Sequence, residues 1–242
     1  ETAAASEKAK IYQLYIRGDW EWTKDMIDRA KKAGYQGLCI CVDSAVYSRR
    51  ERPLISQWSI DSTRNPQNRE WQATVTWESI ERMKEYANLP FMLKGIATAE
   101  DAALAVERGV DVVWVSNHGG RQLDHGVGTM DVLSEIAEVV GDKAEIVLDG
   151  GVTRGSDVLK ALALGAQAVA IGKLQGWGLA ADGKDGVVKV LEVLEEEIRI
   201  SMCLIGVTSI DKLTPTHVHP AEVTTLPHEM SAWVNMPGER LL

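Results

Sequence analysis

Short apolar runs alternate along this chain with longer stretches in which apolar positions recur every three or four residues. The runs Ile11–Ile16, Gly37–Val42, Pro90–Lys94, Val110–Ser116, Ala144–Asp149 and Ala168–Gly172 are mostly apolar on both faces, which predicts strands covered on each side. The periodic stretches, near 22–33, 77–87, 98–108, 129–140, 154–164 and 185–204, predict amphipathic helices. Thr98, followed by Glu100 and Asp101, reads as a helix start, because acids in a first turn complement the helix dipole. Regular strand–helix alternation predicts an α/β domain with a parallel sheet.

Polar residues fit for chemistry fall at the C-terminal ends of those strands. Asp43 follows the second, Lys94 ends the third, Asn117 and His118 follow the fourth, and Asp149 ends the fifth. A TIM (β/α)8 barrel gathers its site at one rim in this way, whereas an open doubly wound sheet gathers ligands near a single switch point. A barrel is therefore expected. It needs eight strand–helix units and the sequence offers six, so the first two βα units are expected to be missing from this chain. The polar segment 44–76, rich in Arg, Asn and Trp, is expected to be a long rim loop. Residues 1–213 are expected to form the barrel, and 214–242, with Pro215, Pro220, Pro227 and Pro237, an irregular tail.

Composition narrows the function without naming it. The 242 residues are 45% hydrophobic and 25% charged, as in an ordinary globular enzyme. A net charge of −9 argues against a nucleic-acid surface, which needs clustered Lys and Arg. No apolar run has the length of a membrane span and residues 1–10 do not read as a signal peptide, so a cytoplasmic enzyme is expected. Cys39, Cys41 and Cys203 lack metal-ligand spacing, and the first two read as buried thiols. His217 and His219 have no third ligand beside them, so no metal is expected. Glu195 to Glu197 reads as a solvated helix face. Trp58, Trp71 and Trp77 fit either an aromatic pocket or a core or subunit contact.

The sharpest signal is Ser116-Asn117-His118-Gly119-Gly120-Arg121-Gln122-Leu123-Asp124. It sets a base and a cationic fork on one tight turn. An imidazole titrates near neutrality, a guanidinium grips a carboxylate through two hydrogen bonds, and the glycines let backbone approach a ligand. Two later turns, Leu148 to Gly155 and Ala168 to Lys173, combine glycines with Lys173 and Arg154, as a phosphate site on successive barrel loops requires.

These segments, with the stretch from Lys160 to Lys173, resemble the FMN-dependent α-hydroxy acid oxidase and dehydrogenase family, whose members include glycolate oxidase, lactate oxidase and mandelate dehydrogenase; the likeness runs from about Ile11 to Leu213. It implies an eight-stranded barrel binding FMN and oxidising a small 2-hydroxy acid to the 2-keto acid, with oxygen, a quinone or a carrier as final acceptor. It implies that His118 is the catalytic base, that Asp43 orients it, and that Arg121 and Arg50 bind the substrate carboxylate beside Tyr15. It implies flavin contacts from Gln13, Cys41, Lys94 and Ser116. Asp149, Gly150, Gly151, Thr153, Gly172 and Lys173 would serve the ribityl chain and phosphate. Cys41 stands where Thr is usual, and Thr153 and Lys173 stand where arginines are common. A second polypeptide supplying the first two strands and a homo-oligomeric state are further expectations. Two alternatives stay open: another phosphate-binding barrel enzyme, and a non-catalytic subunit built on a fragment of this fold.

Overall fold

The computed structural model describes residues 2–48, 55, 57, 70–123 and 125–221. Six parallel strands, β1 (Ile11–Leu14), β2 (Gly37–Cys41), β3 (Phe91–Ile96), β4 (Val112–Val115), β5 (Glu145–Leu148) and β6 (Ala168–Val169), stand in the sheet in chain order. A doubly wound sheet reverses its strand order at a switch point; this one never does. The architecture is that of six consecutive units of a (β/α)8 barrel. Among the described residues β1 and β6 are the two sheet edges.

Helices α1 (Trp20–Lys32), α2 (Trp77–Ala87), α3 (Ala99–Glu107), α4 (Thr129–Val140) and α5 (Gly155–Ala163) return the chain between strands. Their starts follow local chemistry. Asp19 accepts from the backbone N–H of Trp22, Thr76 and Ser79 cap each other's backbone, and Thr98 accepts from Asp101. The apolar sides of these helices meet the strands in one core that includes Ile27, Leu38, Ile40, Phe91, Leu93, Val113, Ile136 and Leu148, all sealed from solvent. No helix among the described residues is long and apolar enough to cross a membrane.

Several boundaries differ from the sequence reading. β1 stops at Leu14, so Tyr15 and Ile16 lie beyond its end. β3 continues through Lys94 to Ile96, its pairing with β4 shifting register at Gly95. β6 keeps only two residues, though Ala170 still donates to the carbonyl of Leu148 at 2.8 Å. A final helix, α6 (Lys173–Leu204), begins well before the expected 185. It breaks at Asp182 and Gly183, and its arms fold back so closely that a Cβ on Gly186 would meet the carbonyl oxygen of Gly178 at 2.0 Å. Gly176 and Gly178 lower intrinsic helix propensity by about 1 kcal/mol each relative to Ala, which hid the first arm from a propensity reading. In the expected rim loop, Glu70–Thr74 forms a 3-10 turn. The start of the expected irregular tail carries another, Pro215–His217. The rest of that tail, 222–242, is outside the described residues.

Candidate active site

Loops at the C-terminal ends of β2 to β6 converge on one polar cluster. At its centre His118 Nδ1 lies 2.9 Å from Asp43 Oδ1, with side chains 17% and 11% exposed. His118, Gly119 and Gly120 all take positive φ, at 57°, 65° and 70°. A left-handed conformation costs a histidine roughly 1–2 kcal/mol, and here it swings the imidazole back over β2. Asn117 holds the turn by accepting from Gly120 N–H at 3.1 Å, and Ser116 Oγ accepts from His118 N–H at 3.1 Å.

Asp43 is held from several sides. The Cys41 thiol donates to its Oδ1 at 3.1 Å, while Oδ2 is buried with no hydrogen-bond partner among the described residues. Burial alone would raise the Asp43 carboxyl; hydrogen bonds from His118 and Cys41 outweigh it, and the pKa falls below the usual value. Burial, then the negative charge of Asp43, pushes the Cys41 thiol up to about 12. Tyr15 approaches from β1, its ring centre 6.4 Å from that of His118 and its hydroxyl accepting from Gln13 Nε2 at 3.1 Å. Burial and the neighbouring Cys41 raise the Tyr15 phenol well above its normal range.

A second network lies beside the first. Lys94 Nζ stands 2.8 Å from Asp149 Oδ2 and 2.8 Å from Ser116 Oγ, while Ser116 donates to Asp149 Oδ1 at 2.6 Å. Trp114 Nε1 adds a bond to Asp149 Oδ2 at 3.1 Å. Burial alone would lower the Lys94 pKa; the Asp149 charge reverses this and raises it, so the ammonium is kept. Both Asp149 oxygens are thus already bonded within the chain, which leaves little capacity for the expected ribityl contact.

Other expected residues fall less evenly. Lys173 Nζ donates to the Gly119 carbonyl at 2.8 Å, joining the start of α6 to the His118 turn. Gly172 stands at the N-terminal start of α6 without a side-chain cap, and at Gly151 and Gly172 an added Cβ would meet nothing within 4 Å. Gly150 takes φ +101° with Thr129 Oγ1 and Asn117 Oδ1 close by. The Thr153 N–H, at 3.1 Å, and its hydroxyl, at 3.5 Å, both go to Asp157 Oδ2. Arg154 pairs with Glu197 at 2.9 Å, so Glu197 is not a plain solvated acid. Arg121 is exposed, and its carbonyl accepts from the Ser48 hydroxyl. Arg50, Trp58 and Asp124 lie outside the described residues.

Four residues that support the site were given no role in the sequence reading. Gln72 is buried, donating to the Cys41 carbonyl at 2.6 Å and accepting from Ile16 N–H at 2.7 Å, so it clamps the ends of β1 and β2. Gln122 donates to the Asp43 carbonyl at 3.0 Å. Trp114 has the bond to Asp149 described above. Gly95 is required because a Cβ there would stand 2.7 Å from Asp43 Cβ, at φ +111°. A glycine inside an apolar strand is the one signal that was legible, since it marks a bulge or close approach.

Comparison with known proteins agrees with this geometry. The model of a family described as FMN-dependent dehydrogenase matches residues 1–70 and 57–220. A peroxisomal (S)-2-hydroxyacid oxidase of Arabidopsis thaliana is 40% identical over 237 residues, covering 90% of this chain and 65% of the relative. An L-lactate oxidase of a Nostoc species is 38% identical over 237 residues, covering 88% of this chain and 65% of its own length. The solved structure of a mandelate oxidase with benzoyl-formic acid superposes with a TM-score of 0.80 at 40% identity, covering 88% of this chain and 63% of that one. The chain thus spans just under two thirds of the length of these relatives. With six sequential parallel strands and a family match over most of its residues, the chain belongs to the FMN-dependent dehydrogenase family.

Proposed function

We propose that this protein takes part in FMN-dependent oxidation of a small 2-hydroxy acid to the 2-keto acid. The carrying observation is the 2.9 Å pair of His118 and Asp43 at the strand-end rim, with Tyr15 alongside. Nδ1 faces Asp43, which leaves Nε2 to accept the substrate proton. Asp43 stays ionised and stabilises the imidazolium that results. Arg121, with Arg50, supplies the fork for the substrate carboxylate, and Tyr15 a hydrogen bond to its oxygens.

The residues present fit the cofactor. Open space beside Gly151 and Gly172, at an uncapped helix start next to Lys173, suits a phosphate. Gln13, Cys41, Lys94 and Ser116 are the groups assigned to the ring, and Gly150 backs the phosphate turn; Asp149 and Thr153 act by holding Lys94 and Asp157 rather than by direct contact. FMN, when bound, supplies the two-electron acceptor. Lys94 sets a fixed positive charge near where that acceptor becomes anionic.

The reading also includes residues 1–213 as the barrel portion, a cytoplasmic setting, assembly into homo-oligomers, and two further βα units pairing with the edges of β1 and β6, on a second polypeptide or on further sequence. Anaerobic addition of lactate, glycolate or mandelate to the flavin-loaded protein should bleach the flavin absorbance and yield the keto acid. A flavin-loaded protein left unbleached by all three would overturn the substrate class. Intact mass of the purified material tests the second polypeptide.

A further inference from the structure

Three metal-ligating side chains of different chemistry meet at the dyad. Cys41 Sγ, Asp43 Oδ1 and His118 Nδ1 all lie within 4.8 Å of one another, with separations of 3.1 Å from sulfur to carboxylate and 2.9 Å from nitrogen to carboxylate. The second Asp43 oxygen is buried and has no hydrogen-bond partner among the described residues. We propose that Cys41, Asp43 and His118 form a binding site for a thiophilic divalent cation of the zinc class, and that the seated ion silences the proton acceptor. The inhibitory part of this rests on the function proposed above; the site itself does not.

Zinc sits about 2.0–2.3 Å from nitrogen, oxygen and sulfur ligands, so tetrahedral neighbours stand roughly 3.3–3.8 Å apart. The two hydrogen bonds need to open by only a few tenths of an ångström to reach that spacing. One sulfur, one imidazole nitrogen and one carboxylate suit zinc or cadmium; magnesium and calcium demand shells of oxygen, which this cluster lacks. Charge also matches. With Cys41 as thiolate, the carboxylates of Asp43 and Asp149 and the ammonium of Lys94 leave two net negative charges, which a divalent ion neutralises.

Binding forms metal bonds to sulfur, oxygen and Nδ1, with water in the fourth position. The thiol proton leaves to solvent. The Nδ1 proton moves to Nε2 through the tautomer change, so no second proton is lost. Nε2–H is then a donor, and the atom that faced the substrate proton no longer accepts it. A hydroxyl in place of the thiol would offer no soft ligand, so the sensitivity belongs to Cys41.

The test uses the purified chain with its flavin and Cys203→Ser, which removes the exposed thiol. Cadmium is titrated by its sulfur-to-metal ultraviolet band and zinc by equilibrium dialysis. One equivalent should bind, and Cys41→Ser or His118→Ala should weaken binding by roughly a thousandfold, more than the ten- to hundredfold typical of outer-shell changes. Zinc should stop turnover and EDTA restore it, with magnesium inert. A Cys41→Thr variant of unchanged melting temperature, which should no longer bind, excludes loss through unfolding. Binding that survives Cys41→Ser, or that depends on Cys39, overturns the site, as does no binding. Cysteine-dependent binding in a protein that oxidises no hydroxy acid upholds the site and overturns the enzymatic reading instead.

Discussion

Replacing Asp43 by Asn isolates the charge of the dyad from its geometry. The amide oxygen can still accept from His118 Nδ1 and from Cys41, so the ring keeps its orientation while the negative charge disappears. At 2.9 Å and an effective dielectric near 20, a carboxylate stabilises an imidazolium by about 6 kcal/mol. The side chains are 17% and 11% exposed, and partial screening brings this to about 3–4 kcal/mol. A proton-accepting step that builds charge on His118 should slow by roughly 10²- to 10³-fold, at 1.36 kcal/mol per factor of ten. Stopped-flow reduction of the bound flavin by a saturating 2-hydroxy acid, without oxygen, reads this step directly. The amount of flavin retained serves as control, since Asp43 is assigned no cofactor contact. Slowing of less than about tenfold, with flavin retained, would mean that Asp43 does not stabilise a cationic His118, and the proton-transfer reasoning would fail.

Three further outcomes follow from the packing. Lys94→Met strands a largely buried Asp149 carboxylate and should cost about 3–5 kcal/mol, read as a drop in melting temperature of roughly 6–20 °C. The Lys94 pKa is raised on folding, so its stabilisation is full below the ordinary lysine value and fades only as pH climbs through the higher folded value; a difference between Lys94→Met and the parent that shrinks already at pH 8 would contradict this. Gly95→Ala forces a Cβ to 2.7 Å from the Asp43 backbone nitrogen at φ +111°, and should lower flavin reduction far more than Gly34→Ala, which has open space around it; similar losses for both would show that the crowding is relieved cheaply. Gln72→Leu removes two buried bonds to backbone and should destabilise by about 2–4 kcal/mol in urea unfolding, a change below 0.5 kcal/mol refuting the clamp.

Much of the fold was legible because strand and helix periods differ. The helices at 77–87 and 129–140 coincide with their apolar periodicity, and the strand centres fall inside the apolar runs. His118 and Asp43 were legible because a base on a glycine turn and an acid at a strand end signal a rim. What escaped depends on partners distant in sequence. Gln72 is an ordinary polar residue until Ile16 and Cys41 are brought to it. Trp114 reads as one more apolar strand residue, yet its indole N–H reaches Asp149. The bonds made by Thr153 and Arg154 have a nearer cause: Asp157 caps the helix start they occupy, a local signature present in the sequence. The first arm of α6 was hidden by its glycines, whose helix is stabilised by backbone contact between the arms and not by propensity.

The carboxylate of Asp149 ties three adjacent strand ends through single atoms of Lys94, Trp114 and Ser116. Those three ends are therefore fastened to one another, and the same Ser116 hydroxyl accepts from the N–H of the histidine turn. Tyr15 and Gln13 bond to each other, and Tyr15 also shares a hydrogen bond with Cys41, which in turn bonds Asp43.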